Sequence, residues 1–309
     1  MTQVFRSGSV RVRVPATSAN LGPGFDALGL AVSLYDEVVV RVVPSGLRIE
    51  VTGEGAAPGD QTPGGEENLL VRALRAGFAV LGGQPTGLQI SCRNQIPHAR
   101  GLGSSAAAIV AGMVAARALV TKGESLLDDA ALLDLASRME GHPDNVAATL
   151  LGGLTIAWSV GSRARAVRVV PHSRIQPVVF IPAVKSSTSQ ARGLIPASVP
   201  HADAAFNAGR AALLVHALTS DPSLLFTATE DRLHQRYRAE AMPESAELLS
   251  KLRESGTPAV ISGAGGTVLA FAVDGEAEVG RPDTEVSPAF TSYALKVDSG
   301  GATAAIVEN

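Results

Sequence analysis

Three features of the sequence predict an α+β fold in two parts. Strand-like and helix-like stretches occur in both halves, strands come as hairpin-like pairs, and no regular strand–helix alternation marks a doubly wound parallel sheet. The opening is strand-like, with Val10, Val12 and Val14 alternating with Arg11 and Arg13. Asp36 to Val43 and Leu47 to Thr52 read as further strands, separated by a turn at Pro44, Ser45 and Gly46. Ala56 to Gly65 is rich in Pro and Gly and has no period. Glu66 to Leu81 has helical spacing, acidic residues in its first turn, and Gly82-Gly83 as its stop. Leu88 to Cys92 is a short strand that runs into a Gly/Ser segment and a long Ala-rich helix.

Leu126 to Met139 predicts another helix, and Pro143 suits the first turn of the next. Gly152-Gly153 closes that helix before a strand at Leu154 to Val160. The pattern restarts near Pro171. A strand at Val178 to Ile181, helices at Ala204 to Leu218 and Glu244 to Glu254, and strands near Val260, at Thr267 to Val273 and at Tyr293 to Val297 follow. The expected division is therefore 1–171 and 172–309, with no internal repeat and no low-complexity linker.

Composition removes several function classes. The chain has 309 residues, 46% hydrophobic and 18% charged, which suffices for a sizeable core. Aromatics are only 4%, so that core is aliphatic. A net charge of −3 argues against a nucleic-acid partner, which selects for a basic face. The single cysteine, Cys92, has no internal partner, which fits a reducing, cytoplasmic setting, and reads as a small buried hydrophobe. The N-terminus lacks a signal peptide's apolar stretch. The longest apolar run, Ala106 to Val120, is too short to span a bilayer and contains Arg117, so no membrane partner is expected.

The most informative stretch is Ile96-Pro97-His98-Ala99-Arg100-Gly101-Leu102-Gly103-Ser104-Ser105-Ala106-Ala107. Its glycines let backbone approach a ligand closely, and the helix that follows offers unpaired N–H groups and a positive dipole end. Ser105 can also offer an oxygen to Mg²⁺. This is no Walker A loop, because no Gly-Lys-Ser/Thr occurs in the chain. As a Rossmann fingerprint it fits only loosely, since no acidic residue closes a βαβ unit at the expected distance.

Three further segments keep it company. Pro15 to Leu30 carries Asn20, Asp26 and several glycines just after the first strand. Gly141-His142-Pro143-Asp144-Asn145 gathers an imidazole, a carboxylate and an amide, and Ser262-Gly263-Ala264-Gly265-Gly266-Thr267 is a flexible loop before a strand. Together, and in this order, the four segments resemble the motifs of the GHMP kinases, over most of the chain. Residues 15–30 and 141–145 are most similar to the family's homoserine branch. The resemblance implies an N-terminal domain like ribosomal protein S5 domain 2, joined to a ferredoxin-like C-terminal domain. One departure lies at Ala264 and Gly266, where relatives carry Ser and Pro, which leaves that loop's contacts open.

Carried over residue by residue, the resemblance implies ATP as phosphoryl donor, held along residues 97–107, with Mg²⁺ between Ser105 and a carboxylate. The matching carboxylate is Asp134, with Glu140 as competitor. Asn68 matches an adenine contact, although at the head of a helix it also reads as an N-cap. The implied acceptor is L-homoserine. Asn20, Asp26, His142 and Asp144 would line its pocket, with Asp26 suited to its ammonium. Thr188, Arg192 and Arg238 would complete the pocket, the two arginines holding the carboxylate, with Arg236 an alternative to Arg238. Asn145 stands eleven residues beyond Asp134, where some relatives have a catalytic Asp. An amide takes no proton there, so transfer would proceed by alignment, with Asn20, Asn145 and Arg192 as the implied catalytic residues. The remaining histidines read as ordinary surface or core residues. Alternatives are a GHMP kinase for another alcohol, of shikimate or mevalonate type, or a non-catalytic nucleotide-binding sensor on the same fold. A homodimer is what the resemblance suggests.

Overall fold

In the computed structural model, residues 5–56, 64–273 and 289–307 are described. The strands are β1 (Ser9–Ala19), β2 (Leu28–Val43), β3 (Gly46–Gly53), β4 (Gly87–Asn94), β5 (Leu154–Val160), β6 (Arg163–Val169), β7 (Ile175–Pro182), β8 (Ala259–Ile261), β9 (Val268–Val273), β10 (Phe290–Ala294) and β11 (Thr303–Val307). The α-helices are α1 (Leu69–Leu81), α2 (Ser104–Leu119), α3 (Gly123–Leu126), α4 (Asp129–Glu140), α5 (Asp144–Leu151), α6 (Thr188–Gly193), α7 (His201–Thr219), α8 (Leu225–Ala228), α9 (Gln235–Arg238) and α10 (Pro243–Glu254).

The first sheet is built around β2, which is long enough to serve two sets of neighbours. Its length pairs with β1, its second half with β4, and its first residues, Leu28 to Leu30, with β5. β3 joins β4 in parallel and β6 extends β5, so the sheet has seven strands. Its seventh member is β11, which returns from the C-terminus to pair with β1 beyond the expected division at residue 171. The second sheet has the order β10-β7-β9-β8, with every pair antiparallel. In chain order that is 4-1-3-2, a ferredoxin-like arrangement, with α10 packed against β8 and β9.

Helix α2 is the axis of the first domain. It is buried on almost every face, from Ala106 through Leu119, which a run of Ala, Val and Ile permits and a charged face would not. It packs between α1 and the sheet. The Gly/Ser loop is thereby fixed to a helix buried over most of its length.

The sequence places the start of the second strand eight residues late. Leu28 to Val32 is buried without a break, so it lacks the alternation that marks a half-buried strand. The exposed edge strand β11 escapes notice for the opposite reason, because Thr303 to Ile306 has no buried face. β6, with three arginines in seven residues, was also not legible as a strand. Most of the loop expected at residues 56–65 (57–63) lies outside the described residues.

Candidate active site

Backbone strain marks where function sits. Among the described residues, five non-glycine residues have positive φ, and four of them (Asn20, Leu21, Asp26 and Ala99) belong to the two loops flanking this site. Such conformations cost free energy and persist only where surrounding structure enforces them.

The loop at 97–107 ends in α2 with Gly103 as N-cap, at φ 70° and without a side-chain cap. The first-turn N–H groups of α2 are thus free of any side-chain acceptor and aligned for an anion. A Cβ on Gly103 would lie 2.1 Å from Thr17 Oγ1 and 3.1 Å from Asn145 Oδ1. One on Gly101 would lie 2.5 Å from the Ser262 carbonyl oxygen. The glycines therefore serve protein packing as much as ligand approach. Gly103→Ala is expected to lower Tm together with ATP affinity, by strain at positive φ as well as by the clash. A melting curve and a nucleotide titration on the same preparation check this, and an unchanged Tm would refute the packing role.

Arg100 spends its guanidinium on backbone carbonyls. Its Nε donates to the Pro182 carbonyl at 2.8 Å, and its other nitrogens donate to the carbonyls of His98 and Ala183. It ties the loop to the end of β7, where the sequence suggested an ATP contact. Leu102 is likewise buried in the core, its carbonyl accepting from the Thr17 N–H. The 262–267 loop clasps the same segment. Ser262 Oγ donates to the Gly101 carbonyl at 2.6 Å, and the Thr267 N–H donates to that of Arg100. Neither interaction needs Ser or Pro at the departing positions 264 and 266.

Two cavities meet at Ser104 and Ser105. One, of about 300 Å³, lies between the sheet and helices α1 and α2, and Asn68, Asp36, Cys92, His98 and Ala107 contribute to its wall. The other, of about 250 Å³, is lined by Asn20, Ala99, Glu140, His142, Asp144, Asn145, Arg192, Arg238 and the glycine loops. A larger cavity of about 650 Å³ lies elsewhere, beyond α9, and shares no residue with the loop. Asn68 does cap α1, accepting from the Leu70 N–H at 3.0 Å, while also lining the first cavity. Burial pushes the Cys92 thiol up to about 12. A thiol reagent at pH 8 is expected to leave the folded protein unlabelled and to react only after denaturation.

The second cavity is unusually rich in ionic groups. Asp26 and Arg192 form a bidentate pair at 2.7 and 3.3 Å, so the two residues expected to meet opposite ends of a zwitterion meet each other. Arg238 is 1% exposed yet has no carboxylate within 4 Å among the described residues. It donates to the Gly263 carbonyl and meets the His234 ring, and its Nε has no partner. Burial, with Arg192 nearby, lowers its pKa. Arg236, the alternative, is instead exposed and paired with Asp203. The phenyl ring of Phe25 underlies both arginines, 5.3 Å from Arg238 and 6.0 Å from Arg192, and stacks on His234. Phe25 and His234 are the supporting residues that the sequence did not reveal.

The Gly-His-Pro-Asp-Asn turn forms a chain of contacts. His142 Nδ1 meets Asp144 Oδ1 at 2.8 Å, the same oxygen accepts the Asn145 N–H, and Asn145 Oδ1 accepts from Thr17 Oγ1 at 2.8 Å. Burial alone would lower the His142 pKa, but the hydrogen bond and charge of Asp144 raise it. Asn20 spends both amide atoms on structure, donating to the Gly263 carbonyl and accepting the Asp26 N–H. It positions the Asp26 loop. Thr188 opens α6, but its side chain lies outside what the structure describes.

The two carboxylates suggested for a metal part company. Asp134 faces Ala164 and Arg138: its Oδ1 accepts the Ala164 N–H at 3.0 Å and its Oδ2 pairs with Arg138. It lines neither cavity. Glu140 ends the same helix six residues on, where it turns to the loop and accepts from Ser105 Oγ at 2.5 Å. Burial raises the Glu140 carboxyl pKa, against the Ser105 hydrogen bond that lowers it. Among the described residues no cluster of three or more His, Cys, Asp or Glu exists that could hold an ion by itself. Nor is any described helix long and apolar enough to cross a membrane.

An anion cradle at the open start of a buried helix, abutting a pocket of ionic groups, on this pair of α+β domains, fits a phosphotransferase acting on a small alcohol. Comparison with known proteins narrows the class. Residues 68–153 match the model of the GHMP kinases N terminal domain, and residues 204–281 that of the GHMP kinases C terminal. The chain is 61% identical over 302 residues to a homoserine kinase of Streptomyces coelicolor, covering 97% of this chain and 95% of that protein. It is 48% identical over 303 residues to one from Clavibacter michiganensis, with 97% and 95% covered. A crystal structure of homoserine kinase from Cytophaga hutchinsonii superposes with a TM-score of 0.80 at 28% identity, covering 98% of this chain and 99% of that one. The chain belongs to the GHMP kinase family, within its homoserine kinase branch.

Proposed function

We propose that the chain transfers the γ-phosphoryl group of ATP to the side-chain hydroxyl of L-homoserine, giving ADP and O-phospho-L-homoserine for threonine synthesis. The observation that carries this reading is Arg238, a buried guanidinium in the wall of the acceptor cavity with no carboxylate within 4 Å among the described residues. A cation left so is costly, and a ligand carboxylate relieves it. Arg192 and Asp26 supply the second cation and an anion for the ammonium, exchanging their mutual pair for the ligand's two charges.

ATP fits the first cavity, with its phosphates reaching the N–H groups at the start of α2. Mg²⁺, bound to those phosphates, would supply charge neutralisation at the transferred group, with Ser105 and Glu140 as its protein oxygens. This pair replaces the expected Ser105 and Asp134. Such a sparse set suits a hard cation that keeps water and phosphate ligands. The protein's own part is alignment. Phosphoryl transfer through a loose transition state depends on positioning and charge more than on early removal of the hydroxyl proton. Asn145, its carbonyl oxygen held by Thr17, fits such a role.

An ADP-release assay across homoserine, shikimate and mevalonate tests the substrate. Arg192→Ala gives the sharper check. Its kcat/KM for homoserine is expected to fall on the order of tenfold to a hundredfold, the worth of one charge-assisted bond. An amino alcohol without the carboxylate should be a poor acceptor for both proteins and should barely distinguish them. Equal losses on both substrates would remove Arg192 from carboxylate recognition. A homodimer in the cytoplasm completes the reading, and sedimentation of the purified protein tests the assembly.

A further inference from the structure

The nucleotide-side cavity holds one polar atom to which the proposed reaction gives no task. Asp36 lies midway along β2 and is 6% exposed. Its Oδ1 accepts the backbone N–H groups of Gln95 and Ile96, at 2.7 and 2.9 Å, just before the phosphate loop. No described residue donates a hydrogen bond to its Oδ2. Asp36 nevertheless lines the cavity, among Val14, Val38, Val51, Leu69 and Cys92. With one oxygen held by two backbone N–H groups and the other without a described donor, this cavity-lining carboxylate can take its further hydrogen bond from what fills the cavity. Beside Asp36, Val14, Val38, Val51 and Leu69 make an apolar wall, with Asn68, Asn94 and His98 as the nearby polar groups, and such a wall suits a flat, amine-bearing ring better than a ribose.

We propose that Asp36 accepts the exocyclic amine of the adenine base and so makes the enzyme select 6-amino over 6-oxo purine nucleotides. This rests on reading the cavity as the ATP site. A 6-oxo purine would set its carbonyl oxygen against the Asp36 carboxylate, acceptor against acceptor. Such a mismatch leaves two buried groups unpaired and is the strongest kind of discrimination a pocket can make.

The geometry also dictates what Asp36→Asn does. The two backbone N–H groups require an oxygen facing them, so the amide of the variant must turn its NH₂ into the cavity. That donor matches the 6-oxo group and opposes the amine. The preference should therefore shrink or invert without loss of the loop anchor.

The test is calorimetric binding of ATP and inosine triphosphate to the wild-type protein and to Asp36→Asn, with 2′-deoxy- and 3′-deoxy-ATP alongside. Wild type is expected to bind ATP tighter than inosine triphosphate on the order of tenfold or more, and the variant to lose or reverse that ratio. Equal affinities in wild type would overturn the proposal, and that comparison needs no variant to fold. A variant weakened equally for both nucleotides would leave Asp36 as an anchor of the loop only. Disappearance of a deoxy-sugar penalty in the variant would assign Oδ2 to the ribose. Because binding is read without turnover, a failure to phosphorylate homoserine leaves this test intact, whereas wild type binding no ATP would overturn both readings.

Discussion

Arg238→Met is expected to leave Tm at or above the wild-type value while kcat/KM for homoserine falls on the order of a hundredfold or more, the loss of two charge-assisted bonds. The two halves of that outcome share one cause. Arg238 is desolvated, its Nε is unpartnered, and among the described residues its guanidinium bonds only a carbonyl and a histidine ring, with Asp26, Asp231 and Asp144 acting on it from beyond ion-pair distance. Replacing a buried charge that has no direct ion pair by an apolar side chain of similar length removes its desolvation cost and breaks no salt bridge. Function and stability therefore pull against each other here, as they do where a site is built for a charge it lacks when empty. Homoserine should raise the Tm of wild type, through preferential binding to the folded state, and leave that of the variant unmoved. Thermal denaturation with and without homoserine, beside steady-state kinetics, measures all three quantities. A large drop in Tm would make the guanidinium a structural tie between α9 and the 262–267 loop.

The contrast between Arg238 and Arg100 shows how far the sequence could be read. Motif order singled out the Gly-rich loop, the Gly-His-Pro-Asp-Asn turn, Arg192 and Arg238, and the structure brings these around one cavity. Motif order could not distinguish an arginine that lines a cavity, as Arg238 does, from one that clamps the carbonyls of Pro182 and Ala183, as Arg100 does. Charge type is visible in a sequence; direction is set by packing. The same limit hid Phe25, an aromatic residue in a glycine-rich stretch, whose role depends on three residues more than 160 positions away. Elements with clean periodicity, such as α1 and β3, were legible. The continuously buried start of β2 and the exposed β11 were not, since neither has one wet and one dry face.

The clearest case is the choice of metal carboxylate. Counting along the chain selects Asp134, while α4 carries Asp134 and Glu140 to different neighbourhoods. Six residues are about one and two-thirds turns of helix, so the two side chains leave the axis in different directions as well as at different heights. Asp134 accepts the Ala164 N–H, which ties α4 to the start of β6, and pairs with Arg138 one turn on in α4 itself. Burial works against its charge, but those partners prevail and hold its carboxyl below the usual range. A carboxyl whose folded pKa is depressed contributes stability above the unfolded pKa and loses it as pH falls through the folded one. Asp134→Asn should therefore lower Tm slightly at neutral pH, lose that difference in acid, and leave kcat close to wild type, because Asp134 lines neither cavity. Glu140→Gln should behave in the opposite way. It keeps the shape and a hydrogen-bonding partner for Ser105 but removes the charge a hard cation requires. kcat should fall on the order of a hundredfold or more, the scale of losing one electrostatic contact at a transferring phosphoryl group. The concentration of Mg²⁺ needed for half-maximal rate should rise, and KM for homoserine should change far less. Side-by-side titration of Mg²⁺ in the two variants decides the matter. If Asp134→Asn were the one to lose Mg²⁺ dependence, α4 would have to rotate on nucleotide binding, and the assignment would return to Asp134.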